Sequence, residues 1–319
     1  MSSTTRVDRP VLALSGGVGG AKLALGLYRI LPSDTLTVIA NTGDDFEHLG
    51  LSISPDLDTL LYTLSGQSNV ELGWGRQDET WTFMEALEKL GGETWFRLGD
   101  GDLATHVERT RRLAAGERLS AVMDDFCRRL GITARLLPMS DDAVRTKLET
   151  DQGSLDFQDY FVRLRCNPRL RRLEFSGSKT ARPHPGFLAA LADPELRAVV
   201  ICPSNPFISI DPILSTPGVR DALRLCQAPV VAISPIVGGK AVKGPTAKMM
   251  EELGLPVDAT AVAQHYRDFL NLYIADETDR DRVADIDVPT EFAPTLMVTM
   301  EDREQLARTV LSAADRIRA

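Results

Sequence analysis

The run Val11-Leu-Ala-Leu14 passes directly into Ser15-Gly-Gly-Val-Gly-Gly20, and the residues after it place Leu23, Leu27 and Ile30 at helical spacing. A short apolar run, a glycine turn and an amphipathic stretch over residues 21–31 predict strand, turn and helix in that order. Leu36-Thr-Val-Ile-Ala40 supplies a second buried strand after the break at Pro32-Ser-Asp34. Two strands joined through a helix run parallel, with a right-handed crossover. The chain is thereby predicted to be α/β, with a Rossmann-like, mostly parallel sheet covered by helices on both faces.

The pattern continues along the chain. Ser54-Pro55 reads as a helix start, with Ser54 as the cap and Pro55 at the first helical position. Further helices are predicted over 78–90, stopped by Gly91-Gly92, over 103–115 after the turn Gly99-Asp-Gly-Asp102, over 120–130, and from Glu301 to the end. Strands are predicted at 95–98, 198–201, 229–233, 270–275 and 296–299. Near-alternating apolar residues from Arg145 to Arg165, around Asp151-Gln-Gly153, suggest a β-hairpin. We therefore expect a core of residues 1–135 and 195–319 and an inserted, smaller α/β subdomain over 136–194.

Charge and cysteine content exclude several function classes. A net charge of −9 repels nucleic acid unless basic groups gather in one patch. The nearest such group, Arg163, Arg165, Arg169, Arg171 and Arg172, is flanked by acids and reads as a solvated face or a dimer rim. Cys127, Cys166, Cys202 and Cys226 show no metal or disulfide spacing, which fits a reducing compartment. The polar start of the chain and the lack of any run of about 18 apolar residues argue against secretion and membrane spanning. A cytoplasmic enzyme is the expectation.

In an open parallel sheet, ligands bind beyond the carboxyl ends of the strands, so the loops after each strand carry the chemistry. Gly16, Gly17 and Gly19, with Lys22 behind them, suit a phosphate held by backbone N–H groups at a helix N-terminus, or form a tight structural turn. The loop is neither the dinucleotide fingerprint, because the third glycine position falls on Lys22, nor a P-loop. Asn41-Thr-Gly-Asp-Asp45 offers carboxylates either to Mg²⁺ or to its own backbone. Asp56 and Asp58 open a helix and are too close in sequence to share a face. Together, Asp44, Asp45, Asp56 and Asp58 exceed what capping requires; a divalent metal and one proton acceptor account for them. Pro203-Ser-Asn-Pro206 and Ser234-Pro-Ile-Val-Gly-Gly-Lys240 suit a nucleotide, with Lys240, Lys243 and Lys248 as phosphate partners or exposed helix lysines. The four histidines form no zinc motif, and Trp74, Trp81 and Trp95 are either a stacking wall for a flat ring or core.

These segments together resemble the 2-phospho-L-lactate transferase family of coenzyme F(420) biosynthesis, which includes phosphoenolpyruvate transferases. The resemblance rests on Ser15-Gly-Gly-Val-Gly-Gly-Ala-Lys22, Asn41-Thr-Gly-Asp-Asp45, Pro55-Asp-Leu-Asp-Thr59, Trp74-Gly-Arg-Gln-Asp-Glu-Thr80, Leu98-Gly-Asp100 with Asp102-Leu-Ala-Thr-His106, Pro203-Ser-Asn-Pro206 and Ser234-Pro-Ile-Val-Gly238, in family order over nearly the whole chain. It implies a Mg²⁺-dependent homodimer that joins the deazaflavin Fo to a small acid delivered as a guanosine diphosphate ester. Carried over by motif, Asp58, Thr59 and Arg97 contact Fo. Gly16, Gly17, Gly19, Lys22, Ser204, Asn205, Ser234 and Gly238 hold the guanosine diphosphate part. Beside what the motifs carry over, Asp44 and Asp56 are assigned to the metal and Asp58 and Asp45 to catalysis, and which of the four aspartates takes the hydroxyl proton stays open. One departure concerns the arginine that the family carries between the aspartates of its Leu-Gly-Asp motif: this chain has Gly101.

The implied reaction is attack of the terminal ribityl hydroxyl of Fo on the phosphorus bearing the acid, with GMP leaving. Positioning and charge stabilisation dominate such transfers, which suits a site of glycine N–H groups, metal and few nucleophiles. The alternatives are a non-catalytic nucleotide-sugar-binding regulator, from a related family sharing the glycine loop, and a nicotinamide dehydrogenase, which the missing fingerprint disfavours.

Overall fold

The computed structural model describes residues 8–242, 244–283 and 286–318. Seven parallel strands form its main sheet, in the order β14-β13-β10-β9-β1-β2-β5. In chain order the strands are β1 (Val11–Ser15), β2 (Leu36–Ala40), β3 (Phe46–His48), β4 (Leu51–Ile53), β5 (Arg135–Pro138), β6 (Arg145–Thr150) and β7 (Gly153–Asp156). They continue as β8 (Leu170–Ser176), β9 (Ala198–Ile201), β10 (Val230–Ile233), β11 (Ile236–Val237), β12 (Lys240–Ala241), β13 (Leu272–Asp276) and β14 (Thr290–Ala293). From β1 the chain moves outward through β2 to β5. It then returns to pair β9 with the other edge of β1, Leu14 opposite Ile201, and moves out the opposite way. The direction of winding reverses between β1 and β9, which is where such sheets bind ligands.

Alternation within each strand builds a core on each face. Leu12 and Leu14 point into one, with Phe187, Leu223, Val262 and Tyr266 from helices after β8, and with Leu148 and Tyr160 from the segment between β5 and β9. Val11 and Ala13 point into the other, with Leu23 and Leu27, Leu57 and Leu61, and Val310 and Ala314. Those last three pairs come from α1 (Gly17–Ile30), α2 (Pro55–Leu64) and the C-terminal helix Met300–Arg318. The expected α/β sheet with helices on both faces is the fold observed. Between β5 and β9, strands β6, β7 and β8 form a separate antiparallel sheet around the hairpin at 151–152, and β5 itself stays in the large sheet.

Several local expectations need correction. The first helix begins at Gly17 rather than after the glycines, so the glycine run is its first turn. Ser54 does not cap α2 with its side chain; its hydroxyl donates to Asp45 Oδ2 at 2.9 Å. Helix α3 (Thr82–Lys89) starts later than expected, because Asp100 accepts hydrogen bonds from the Thr82 and Phe83 amides and fixes the start there. Asp100 in turn opens α4 (Asp100–Ala114), followed by α5 (Leu119–Arg129). Residues 95–98 are irregular and pair with no strand: Phe96 packs edge-on against Phe46 at 4.8 Å in a small satellite cluster. Residues 296–299 are not a strand either. The edge strand is β14, which ends before Pro294, whose ring offers no donor to the ladder.

Candidate active site

A cavity of about 900 Å³ opens at the carboxyl ends of β1 and β9. Its walls include Gly16–Gly19 after β1, Pro203–Asn205 after β9, the start of α2, loops carrying Trp74 and Trp95, and the short helical segment Asp159–Arg163 with Phe161. Both loops at the reversal of winding thus border the same space.

The glycines let two chain segments touch. A Cβ on Gly19 would lie 2.5 Å from the Pro203 carbonyl oxygen, and one on Gly20 would lie 2.6 Å from Ser204 Oγ. Gly17 adopts φ +64, a left-handed conformation that bulkier residues resist. Its N–H donates to Asp56 Oδ1 at 2.6 Å, so a carboxylate already sits on the amide at the helix start. Gly16 N–H donates to Ser204 Oγ at 3.3 Å. Lys22 borders the cavity and donates to the Met297 carbonyl at 2.7 Å.

Asp56 is bound on both oxygens, since Asn41 Nδ2 donates to Oδ2 at 2.9 Å. Asn41 also accepts from the Gly43 amide at 2.7 Å, which fixes the loop carrying Asp44 and Asp45. Burial raises Asp44 well above the usual carboxylate range, reinforced by the nearby charge of Asp56. Burial likewise lifts Asp56 to about 6 and Asp45 to about 7. One oxygen each of Asp44 and Asp45 is buried with no hydrogen-bond partner among the described residues. Such a set is short of positive charge and of donors, the condition that a bound cation relieves.

Asp58, two residues further along α2, faces other partners. Its carboxylate is gripped on both oxygens by Arg109 of α4, whose guanidinium is fully buried. His106, one turn earlier, has Nδ1 3.6 Å from Asp58 and Nε2 3.2 Å from Asp102. Tyr62 Oη completes the chain at 2.5 Å from Asp102. Asp58, Asp102 and His106 all border the cavity. Their facing atoms approach closely enough to hold a metal ion as a group, although Arg109 already neutralises Asp58.

Opposite this polar floor the wall is aromatic. Trp74, Trp95, Phe96, Phe157 and Phe161 line it, and Arg97 reaches the cavity edge with its guanidinium 4.0 Å above the Trp81 ring.

Residues 11–306 match the family described as 2-phospho-L-lactate transferase CofD. The chain belongs to the 2-phospho-L-lactate transferase family. It is 41% identical over 318 residues to a phosphoenolpyruvate transferase of Kitasatospora aureofaciens, covering 97% of this chain and 98% of that one. It is 40% identical over 306 residues to a 2-phospho-L-lactate transferase of Methanosarcina mazei, covering 95% and 100%. Among solved structures, a Bacillus halodurans protein, BH3568, superposes with a TM-score of 0.65 at 16% identity, covering 95% of this chain and 99% of that one. That likeness shows a shared fold. Family membership makes the chain a transferase of coenzyme F(420) biosynthesis.

Most residues carried over from the 2-phospho-L-lactate transferase motifs meet in the one cavity: Gly16, Gly17, Gly19, Lys22, Asp44, Asp56, Asp58, Thr59, Arg97, Ser204, Asn205 and Ser234. Two do not. Asp45 borders an adjoining cavity of about 500 Å³, with Ser54 and Arg145. Gly238 sits in the tight turn between β11 and β12, where Asp279 accepts from its amide at 2.9 Å and from that of Gly239 at 2.6 Å. Several inward groups are also committed locally: Asn205 Oδ1 accepts from the Phe207 amide, and Ser234 Oγ bonds within its own loop. Lys248 bonds Glu252, Tyr160 and the Pro168 carbonyl, Lys240 is exposed, and Lys243 lies outside the described residues.

Sequence reasoning quoted Asp102-Leu-Ala-Thr-His106 as a motif but gave neither end of it a role, since it looked for pairs of histidines and not for a carboxylate four residues before one, and it missed Tyr62 and Arg109. Asp102-x-x-x-His106 on a helix was the available signal. At the family's departure point, a Cβ on Gly101 would meet Arg76 Nη1 at 2.7 Å and Glu79 at 3.1 Å. Glu79 accepts from the Gly101 and Asp102 amides at 2.6 and 2.7 Å, so a side chain at 101 would push the ends of the Arg76 and Glu79 side chains aside.

Proposed function

We propose that the chain transfers a phosphorus-linked small acid, such as phospholactate or its enolpyruvate or glycerate counterpart, from a guanosine-diphosphate-activated donor to Fo, releasing GMP. The observation that carries this reading is the convergence of three features on one cavity: a helix N-terminus with glycine N–H groups, a carboxylate cluster, and an aromatic wall suited to a flat tricyclic ring. The diphosphate lies at the glycine loop and Ser204, the deazaflavin between the tryptophans and Asp58, Thr59 and Arg97. In this reading residues 136–194 form an insert that delivers Phe157 and Phe161 to a nucleotide-binding core.

The ribityl hydroxyl oxygen bonds to the phosphorus that carries the acid, and the bond from that phosphorus to the bridging diphosphate oxygen breaks. GMP leaves with the electron pair. Asp58, held by Arg109, is a fixed acceptor that orients the hydroxyl. His106 takes the proton, since its ring bridges Asp58 and Asp102 and can share the charge it gains with both. The residues fit Mg²⁺: Asp44 keeps a buried, unpartnered oxygen beside the like-charged Asp56. Asp44 and Asp56 would hold the ion, which supplies neutralisation of diphosphate charge.

The reading extends to a cytoplasmic homodimer that binds neither nucleic acid nor membrane; no helix among the described residues is long and apolar enough to cross a bilayer. The deciding experiment incubates the purified chain with Fo, Mg²⁺ and each guanosine diphosphate ester in turn and weighs the product by mass spectrometry. A product heavier than Fo by the phospho-acid, with one GMP released per product, is expected. GMP without that product, or neither, would remove the proposal. Chelation should abolish turnover, and Mg²⁺ should restore it.

A further inference from the structure

Among the described residues, three cationic side chains border the large cavity: Lys22, Arg97 and Arg165. The first donates to the Met297 carbonyl and the second lies over the Trp81 ring. Arg165 is different, because among the described residues no hydrogen bond, ion pair or ring contact engages its side chain. Position 101 is a glycine, and the space beside it is taken by the side-chain ends of Glu79 and Arg76.

The backbone around Arg165 is held in an unusual shape. Arg165 and Cys166 have φ of +51 and +56, left-handed values that residues with a Cβ seldom adopt. Two hydrogen bonds at 2.8 Å impose the shape, Leu164 N–H to the Asp159 carbonyl and Cys166 N–H to the Tyr160 carbonyl. The same segment is keyed to the carboxylate floor, as Gln158 Nε2 donates to the Asp44 carbonyl at 3.3 Å. It is keyed to the aromatic wall by Phe157 stacked on Phe161 at 5.4 Å and by Arg163 6.0 Å over Trp95. Strained backbone that a surrounding network over-determines is characteristic of functional positions. This one presents an unengaged guanidinium to a cavity that four aspartates also border. The arginine cluster that composition suggested as a solvated rim therefore splits: Arg165 faces the cavity, while Arg169, Arg171 and Arg172 lie exposed on or beside β8.

We propose that Arg165 receives the carboxylate of the small acid carried by the donor and selects donors that possess one. The assignment rests on the function proposed above. A planar guanidinium grips a carboxylate through two parallel hydrogen bonds, and a site built for that contact rejects an analogue lacking it. The diphosphate has the glycine N–H groups and the carboxylate-bound cation; the acid has this arginine.

The test compares two synthetic donors, guanosine diphosphate esterified with lactate and with 2-propanol, which lacks only the carboxylate. In the wild type, kcat/KM should favour the lactyl donor by about 100-fold. Arg165→Gln should erase most of that preference by lowering the lactyl donor alone. KM for Fo, the Kd of GDP and the melting temperature should stay unchanged, since the side chain is exposed and unpaired. Arg165→Lys should recover part of the loss, as a point charge lacks the paired geometry. Equal losses for both donors, a matching loss of GDP affinity, or a rise in the KM for Fo would each overturn the assignment. Should the wild type convert neither donor, lactate is not its acid, and the transfer reading is decided by the enolpyruvyl and glyceryl esters. The carboxylate claim is then decided by calorimetry, where Arg165→Gln must weaken the lactyl ester and not the 2-propyl ester.

Discussion

The two halves of the cavity are built differently. The polar floor is made of strand ends and first helical turns, its side chains buried and tied to one another: Gly17 to Asp56, Asp56 to Asn41, Asp58 to Arg109 and His106. The tryptophan side of the aromatic wall hangs on loops, with Trp74 44% exposed, while Phe157 and Phe161 sit on a helical segment that is anchored in the core. Phosphoryl transfer needs charge fixed in advance, so the floor is rigid. A flat ring needs surface and accepts some adjustment, so the wall can be loose. The floor should therefore fail through stability and kcat, the wall through KM alone.

The largest effect is expected at Arg109. Replacing it with methionine leaves Asp58 buried without its cation, which costs about 3–5 kcal/mol, measurable by urea denaturation. A loss below 1 kcal/mol would show that Asp58 is hydrated in solution and that the floor is less closed than its geometry indicates.

Asp45 tests the same floor through pH. Burial lifts its folded value to about 7, above the usual carboxylate value of 3.8, so the folded protein binds a proton that the unfolded chain releases. Stability is therefore greatest at low pH with respect to this group, declines as pH rises from about 4 to 7, and is flat above; the full decline is on the order of 4 kcal/mol. Asp45→Asn should flatten that slope. An unaltered slope would place the burden on Asp44 and Asp56 instead.

The next effect is catalytic. His106→Gln keeps a ring-sized polar side chain beside Asp58 but cannot carry a proton, and kcat should fall about 100-fold with KM for both substrates nearly unchanged. A fall below threefold would mean that the hydroxyl loses its proton directly to solvent.

How much of this was legible in the sequence follows the same division. Strand-end loops of an open sheet lie near one another once the strand order is known, so Gly16, Asp44, Asp56 and Ser204 were readable as neighbours from pattern alone. The winding reversal between β1 and β9 then makes them one site. Side chains that meet through tertiary packing left weaker marks. Arg109 lies 51 residues from Asp58, and nothing in its local spacing indicates a partner. Arg165 looked like one of five clustered arginines until a left-handed backbone turned it inward. Asp45 was expected in one carboxylate cluster with Asp44, yet the turn that ties the Asp45 amide to the Thr42 carbonyl leaves the two bordering different cavities.

Trp74 gives the smallest effect and the sharpest reading of the wall. Its ring sits 6.3 Å from Trp81 in a tilted pair, and the residue is too exposed to contribute much to folding. Trp74→Ala should change stability by less than about 0.5 kcal/mol. A stacked ring contributes roughly 1 kcal/mol beyond its buried area, so KM for the acceptor should rise about tenfold while kcat and the donor KM hold. The competing outcome is a rise in the donor KM with the acceptor unaffected, which would mean that the indole stacks on guanine. The deazaflavin would then have to lie along Phe157 and Phe161, on the segment that carries Arg165.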